Sequence, residues 1–118
     1  MSGLDAATGV APGMERRPMA ERWINKLTVF GTKKELTKFL KSNWKKDLRG
    51  RFWELQETMR TRFGCQFETE SSPIALLQAM SRRSMRVTFV LEFENMTKRT
   101  KGLVKAKAGV IEQYQVRY

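Results

Sequence analysis

A chain of 118 residues and 13.8 kDa is long enough for one hydrophobic core and too short for two, so a single domain is expected. Its hydrophobic share of 41% is that of a globular protein, and no apolar run approaches the roughly 20 residues a bilayer demands. Lys and Arg number 23 against 12 Asp and Glu, a formal net charge of +11 with no His, which points to an anionic partner and removes both the usual neutral-pH general base and the commonest metal ligand.

Residues 1–21 are rich in Gly, Ala and Pro and lack both periodicity and the apolar core of a signal peptide. They are expected to form a flexible tail, with a short phosphate-seeking arm at Arg16 and Arg17 as the second reading. A single α+β domain is expected over 22–118. The lone Cys65 has no disulfide partner, which with the missing leader suggests a reducing cytoplasm and a small buried hydrophobe at that position.

From Trp23 the pattern is that of a strand, with Leu27 and Val29 on one side, Lys26, Thr28 and Phe30 on the other, and Gly31 as its stop. Thr32 followed by Glu35 reads as a capping box, which starts a helix running to about Trp44. Its Leu36, Phe39, Leu40 and Trp44 form a core face, while Lys34, Lys38, Lys41 and Lys45 stack in one line opposite. Phe52, Leu55, Met59 and Phe63 recur at helical spacing before Gly64, which predicts a second helix. Cys65 to Glu70 is β-prone, and Ser72-Pro73 opens a third helix with Leu76, Leu77 and Met80 inward, ending near Arg82.

The clearest strand is Met85 to Glu94, where Val87, Phe89, Leu91 and Phe93 alternate with Arg86, Thr88, Val90 and Glu92. Its apolar face marks it as central to a sheet. A polar loop with Lys98, Arg99 and Lys101 follows, then a hairpin from Leu103 to Lys107, turning at Ala108-Gly109 and returning from Val110 to Tyr118. The order β-α-α-β-α-β-β-β implies an α+β sandwich of ferredoxin-like type, a mixed or antiparallel sheet with its helices on one face.

Three stretches carry a resemblance: Asn25-Lys26-Leu27-Thr28-Val29-Phe30-Gly31, the helix-opening Phe67-Glu68-Thr69-Glu70-Ser71-Ser72-Pro73, and the hairpin from Gly102 to Gly109. Together they resemble the ferredoxin-like domain of YubB-type proteins carried by plasmids and phages, over about Trp23 to Tyr118. The family's Trp-Gly-Thr-Lys-Trp run survives only as fragments in Asn43-Trp44-Lys45 and Arg51-Phe52-Trp53. Ser71-Ser72-Pro73 also lacks the Trp of its Trp-Ser-Pro-Pro. The resemblance implies a fold and a mobile-element origin rather than an activity.

Between Lys33 and Arg51 eight basic residues face Glu35 and Asp47 alone. Like charges four apart cost a helix roughly 0.2 to 0.5 kcal/mol per pair, a repulsion that a polyanion relieves; a merely solvated face is the bland alternative. Lys98, Arg99, Lys101, Lys105 and Lys107 form a second cluster without an acid. If both clusters met one ligand, about six to ten phosphates would be contacted. The hairpin faintly resembles an RNA-recognition motif without its aromatics, leaving stacking to Trp23, Phe30, Trp53, Tyr114 and Tyr118. Glu68 and Glu70, like Glu92 and Glu94, read as salt-bridge partners before metal ligands, and the triplet Asn95-Met96-Thr97 as inert in a cytoplasmic chain.

These features favour a small, basic, non-enzymatic nucleic-acid-binding accessory protein of a mobile element. Lys34, Lys38, Lys41, Lys45, Arg49, Arg51, Lys98, Arg99, Lys101, Lys105 and Lys107 are expected to contact phosphates of DNA or RNA with little sequence preference, and no cofactor or metal is expected. The alternative is an anti-defence inhibitor of anti-CRISPR type, docking on an acidic host protein or nucleoprotein complex. A His-free ribonuclease toxin using Arg83, Lys105, Tyr114 and Arg117 ranks third.

Overall fold

Residues 21–118 are described by a computed structural model, as backbone alone at 54–57. The tail expected over 1–21 lies, apart from Glu21, outside the described residues. The elements are β1 (Trp23–Phe30), α1 (Lys33–Leu40), α2 (Trp44–Leu48), β2 (Arg51–Met59), β3 (Arg62–Thr69), α3 (Ile74–Arg83), β4 (Thr88–Asn95), β5 (Thr100–Lys107) and β6 (Val110–Arg117). None of these helices is long and apolar enough to cross a membrane.

The strands form one sheet in the order β2-β3-β1-β4-β5-β6, every neighbouring pair antiparallel. From β1 the chain crosses through α1 and α2 to the outer strand β2, returns to β3 beside β1, and crosses again through α3 to β4 on the other side of β1. Alternation decides which face is covered. Leu27 and Val29, Phe63, Cys65 and Phe67, Phe89, Leu91 and Phe93, and Val104 and Ala106 are buried, whereas Lys26, Glu92, Lys101 and Lys105 between them are exposed. The buried set packs on Leu36, Phe39, Trp44, Leu48, Leu77 and Met80 of the helices, so among the described residues the other sheet face is open. Each such Leu or Phe contributes about 1.5 to 3 kcal/mol by leaving water.

Two expectations about the first half need correction. The predicted helix from Phe52 to Phe63 is instead β2, a turn and the start of β3. Apolar residues at offsets of three, seven and eleven also suit a hairpin, because Phe52 and Phe63 lie in adjacent strands and both rest on Trp44. The reversal at Arg60-Thr61 uses no Gly, Asn or Asp and no positive φ, so it leaves no turn signature. Gly64, expected past a helix end, sits inside β3 opposite Thr28.

Nor does the first helix run on to Trp44. Thr32 caps α1 as expected, its hydroxyl accepting from the Glu35 amide at 3.2 Å. At the far end the Ser42 hydroxyl donates to the Phe39 carbonyl, and a hydroxyl competing for helix carbonyls favours an ending. The chain then restarts as α2 with Trp44 turned inward, its ring 5.5 Å from Phe39, 5.4 Å from Phe52 and 5.1 Å from Phe63. Arg49, at φ 57°, ends α2 in the left-handed region.

The second half follows the expected pattern except at the start of β4, which begins at Thr88 and not at Met85: residues 84–87 form a turn that leads from α3, closed by the Val87 amide donating to the Ser84 carbonyl. The Ser72 hydroxyl accepts from the Ile74 amide at the start of α3, and β4 is central. The β5–β6 turn has φ 52° at Ala108 and 84° at Gly109, the two left-handed residues a tight hairpin turn needs. The turn is pinned to α3: the Gly109 amide donates to the Ser81 hydroxyl at 2.9 Å, and the Gln78 side-chain amide donates to the Gly109 carbonyl at 2.8 Å.

Candidate nucleic-acid interface

The helical layer carries the densest positive charge. Lys33, Lys34 and Lys38 on α1, Lys41 at its end, Lys45 and Lys46 on α2 and Arg49 just past it are all exposed. Among the described residues none of these seven forms an ion pair; Glu35 lies within ion-pair distance of none of them, and Asp47 is taken by Arg83 at 2.7 Å. The stems of Lys33, Lys34, Lys38 and Lys41, with Thr37, line a shallow depression on α1. The break at Ser42-Asn43 divides the expected line of four lysines, three going with α1 and Lys45 with α2. The Lys45 ammonium lies 5.6 Å from the Trp44 ring and 5.7 Å from the Phe52 ring, cation–π distances that hold it at the edge of the core.

Arg51 belongs elsewhere. It opens β2 opposite Glu68, and its guanidinium lies 3.6 Å from a carboxylate that Arg22 also engages at 3.2 Å.

The hairpin cluster lies on the other side of the sheet from α1. Lys101, Lys105 and Lys107 alternate with buried Val104 and Ala106, which puts them on the open face. Acids stand beside them: Lys101 is opposite Glu94, Lys105 opposite Glu112, and Lys26 opposite Glu92. Lys98 pairs with Glu21 at 3.1 Å. Arg99 lies 5.4 Å from the Tyr118 ring and donates through Nε to the Tyr118 carbonyl, while the Lys101 ammonium lies 5.7 Å from the same ring. The two basic clusters therefore do not meet one flat ligand, and the second is largely engaged within the chain.

Local bonding shifts two titrations and burial a third. The Trp23 indole N–H and the Lys98 ammonium, both donating to Glu21, hold its carboxyl below the usual range. The Tyr118 hydroxyl donates to Glu94, which pushes the phenol up. Burial pushes the Cys65 thiol up to about 12, with Lys45 pulling weakly the other way, so Cys65 is the buried hydrophobe expected of it.

Sequence reasoning passed over Arg86 and gave Arg83 only an enzymatic role. The end of α3 packs beside α1 and α2, where Arg83 and Arg86 line a groove with Lys38, Ser42, Glu35 and Asp47. The run Arg82-Arg83-Ser84-Met85-Arg86 was the available signal. The residues recruited for a ribonuclease are dispersed: Arg83 ends a helix, Lys105 and Tyr114 are on the open face, and Arg117 is on the opposite face of β6. Among the described residues no three His, Cys, Asp or Glu side chains come together as a metal site. Asn95 is buried and its side-chain oxygen accepts from the Thr97 and Lys98 amides, which gives the Asn95-Met96-Thr97 triplet a structural role in the loop. Of the aromatic residues considered for stacking, Trp23 is buried against Phe93 at 5.3 Å, whereas Phe30, Trp53, Tyr114 and Tyr118 are exposed. No protein-family model, no curated protein and no solved structure matches the chain.

Proposed function

We propose that this chain is a non-enzymatic nucleic-acid-binding domain, an accessory protein of a mobile element, that grips phosphates with its helical layer and shows little sequence preference. The carrying observation is the set of seven exposed cations on and beside α1 and α2 that, among the described residues, have no carboxylate partner. Unpaired cations on one surface are the arrangement that releases counterions from a polyanion, and Arg86 extends the same surface across the groove. Arg51 and the hairpin cations play a lesser part, because acids or an aromatic ring already engage several of them. The finer fold assignment belongs to the same proposal: the order β4-β1-β3-β2 with two helical crossovers on one face supports a ferredoxin-like sandwich, extended by the β5–β6 hairpin.

The test is fluorescence anisotropy with labelled single- and double-stranded DNA and RNA across a salt series. Changing Lys34, Lys38, Lys41 and Lys45 together to Ala should weaken duplex binding at least tenfold near 100 mM salt and flatten the log–log salt slope by about 3 to 4, at about 0.9 per phosphate. Changing Lys98, Arg99, Lys101 and Lys105 should do much less. Unchanged binding in the first variant sinks the proposal. Weak binding that vanishes by physiological salt would leave the charge as a protein-docking surface.

A further inference from the structure

The sheet has two edges, and they are finished differently. Along β2 the ladder to β3 shifts between Phe52 and Gln56, an irregularity of the kind that spoils a strand edge for further pairing. β6 is regular over all eight residues, contains no proline, and among the described residues pairs on one side only. It is also exposed on both faces, with only Ile111 half-buried against the core. Tyr114 keeps 66% of its surface exposed and Val116 59%, next to Leu103 at 40%. Burial explains little of this strand, and a bare regular edge is a template for another strand.

We infer that β6 pairs antiparallel with β6 of a second copy of this chain, about a two-fold axis at Tyr114. The hydrogen-bond phase selects the register. The Tyr118 amide donates to the carbonyl of Arg99, the residue just before β5, so with the alternation of an antiparallel ladder the amides of Val116, Tyr114 and Glu112 face β5. The amides and carbonyls of Ile111, Gln113, Gln115 and Arg117 then face the free edge. Setting Ile111 opposite the partner's Arg117 and Gln113 opposite the partner's Gln115 uses every one of these groups, and a slip of two residues leaves some unpaired. In that register Tyr114 faces itself, Glu112 faces Val116 and Val110 faces Tyr118, with no like charges opposed. Charge also favours a second copy over a polyanion here, since β6 carries one acid, Glu112, and one base, Arg117, in a chain of net +11.

The test is the molar mass of the full chain by light scattering between about 10 and 200 μM, a range suited to a small interface of micromolar strength. A rise toward twice 13.8 kDa is expected, and it should strengthen with salt, since salt screens the repulsion between two +11 chains. Salt weakens phosphate binding, so the two proposals fail independently. Gln115→Pro removes a backbone amide that bonds nothing among the described residues and should stay monomeric with an unchanged circular-dichroism spectrum. Should that variant misfold, Tyr114→Lys, which opposes two ammonium groups at the axis, should weaken association at least tenfold. Tyr114→Cys should form a disulfide-linked dimer under mild oxidation, because a non-hydrogen-bonded pair brings the two Cα atoms to about 4.5 Å, within disulfide range; Lys38→Cys should not. A monomer throughout the range, whether the edge is bare or covered within its own chain, overturns the inference. So does a dimer that Gln115→Pro and Tyr114→Lys both leave intact.

Discussion

The Arg83 guanidinium lies 2.7 Å from the Asp47 carboxylate and ties the end of α3 to α2 on the most basic side of the protein. The pair keeps one acid among the cations proposed to meet phosphate. Asp47→Asn should therefore raise affinity for duplex DNA, by roughly twofold to tenfold at low salt, with the gain shrinking as salt rises. Both partners are partly exposed, so stability should fall by no more than about 1 kcal/mol. Titrations of both proteins at two salt concentrations, with one urea melt each, check the two halves of this prediction.

Trp44 holds the first crossover to the β2–β3 hairpin through the rings of Phe52 and Phe63, with Phe39 of α1 stacked on it. Trp44→Ala should cost about 3 to 5 kcal/mol in urea unfolding, the range for deleting a buried aromatic side chain. Trp53→Ala, on the exposed Trp of the same region, should cost less than about 0.5 kcal/mol. Equal losses would mean that Trp44 does not organise the core.

Asn25 is 1% exposed; its side-chain amide donates to the Trp23 and Phe67 carbonyls and to the Thr69 hydroxyl, while its Oδ1 has no partner among the described residues. Asn25→Asp replaces those donors with a second acceptor in a buried place, and a buried carboxylate without donors resists ionisation. It should cost about 3 kcal/mol or more at pH 7, and part of the loss should return as pH falls toward the unfolded Asp value of about 3.9, because the folded state holds a proton that the unfolded chain has given up. Denaturation midpoints at pH 7 and pH 4.5 for both proteins decide it.

The Cys65 thiol, raised to about 12, gives stability a defined alkaline edge. In the unfolded chain a thiol ionises near its ordinary value of about 8.5, so below that pH both states hold the proton and the contribution is complete. Above it the unfolded state loses the proton first, and stability should fall by up to about 1.4 kcal/mol per pH unit until the folded thiol itself ionises. Cys65→Ala should remove this component of the slope between pH 9 and 11. At pH 8 the native thiol should react with a disulfide reagent only after unfolding.

What the sequence disclosed of this fold depended on how each element announces itself. β1 alternates apolar and polar residues and sits where that pattern places it, β4 does so from Thr88 onward, and Ala108-Gly109 advertises its turn through the left-handed conformations it needs. The Arg60-Thr61 reversal needs none, so the spacing from Phe52 to Phe63 passed for a helix. The stop after Leu40 depends on a serine hydroxyl reaching a carbonyl and on Trp44 turning into a pocket of distant rings, neither of which is local information. For the site, the exposure of Lys34, Lys38 and Lys41 was readable from helical period alone. The separation of the hairpin cations from them was not, because it depends on which sheet face the helices cover, and no short-range pattern records that choice.

β1 is the first strand along the described chain and lies in the interior of the sheet, with Trp23 opposite both Thr69 and Asn95. Its two partners are separated from it by long stretches of chain, so although β2–β3, β4–β5 and β5–β6 are local hairpins, both pairings that join them into one sheet are long-range. Such a topology is expected to fold slowly for its size, since distant segments must be brought together before any contact repays the entropy lost. During synthesis the consequence is sharper: until β4 has left the ribosome, β1 can pair on one side at most. Its other edge, with Leu27 and Val29 in the strand, stays open to whatever else is nearby, and a nascent chain in that interval is the form most exposed to aggregation and to chaperones.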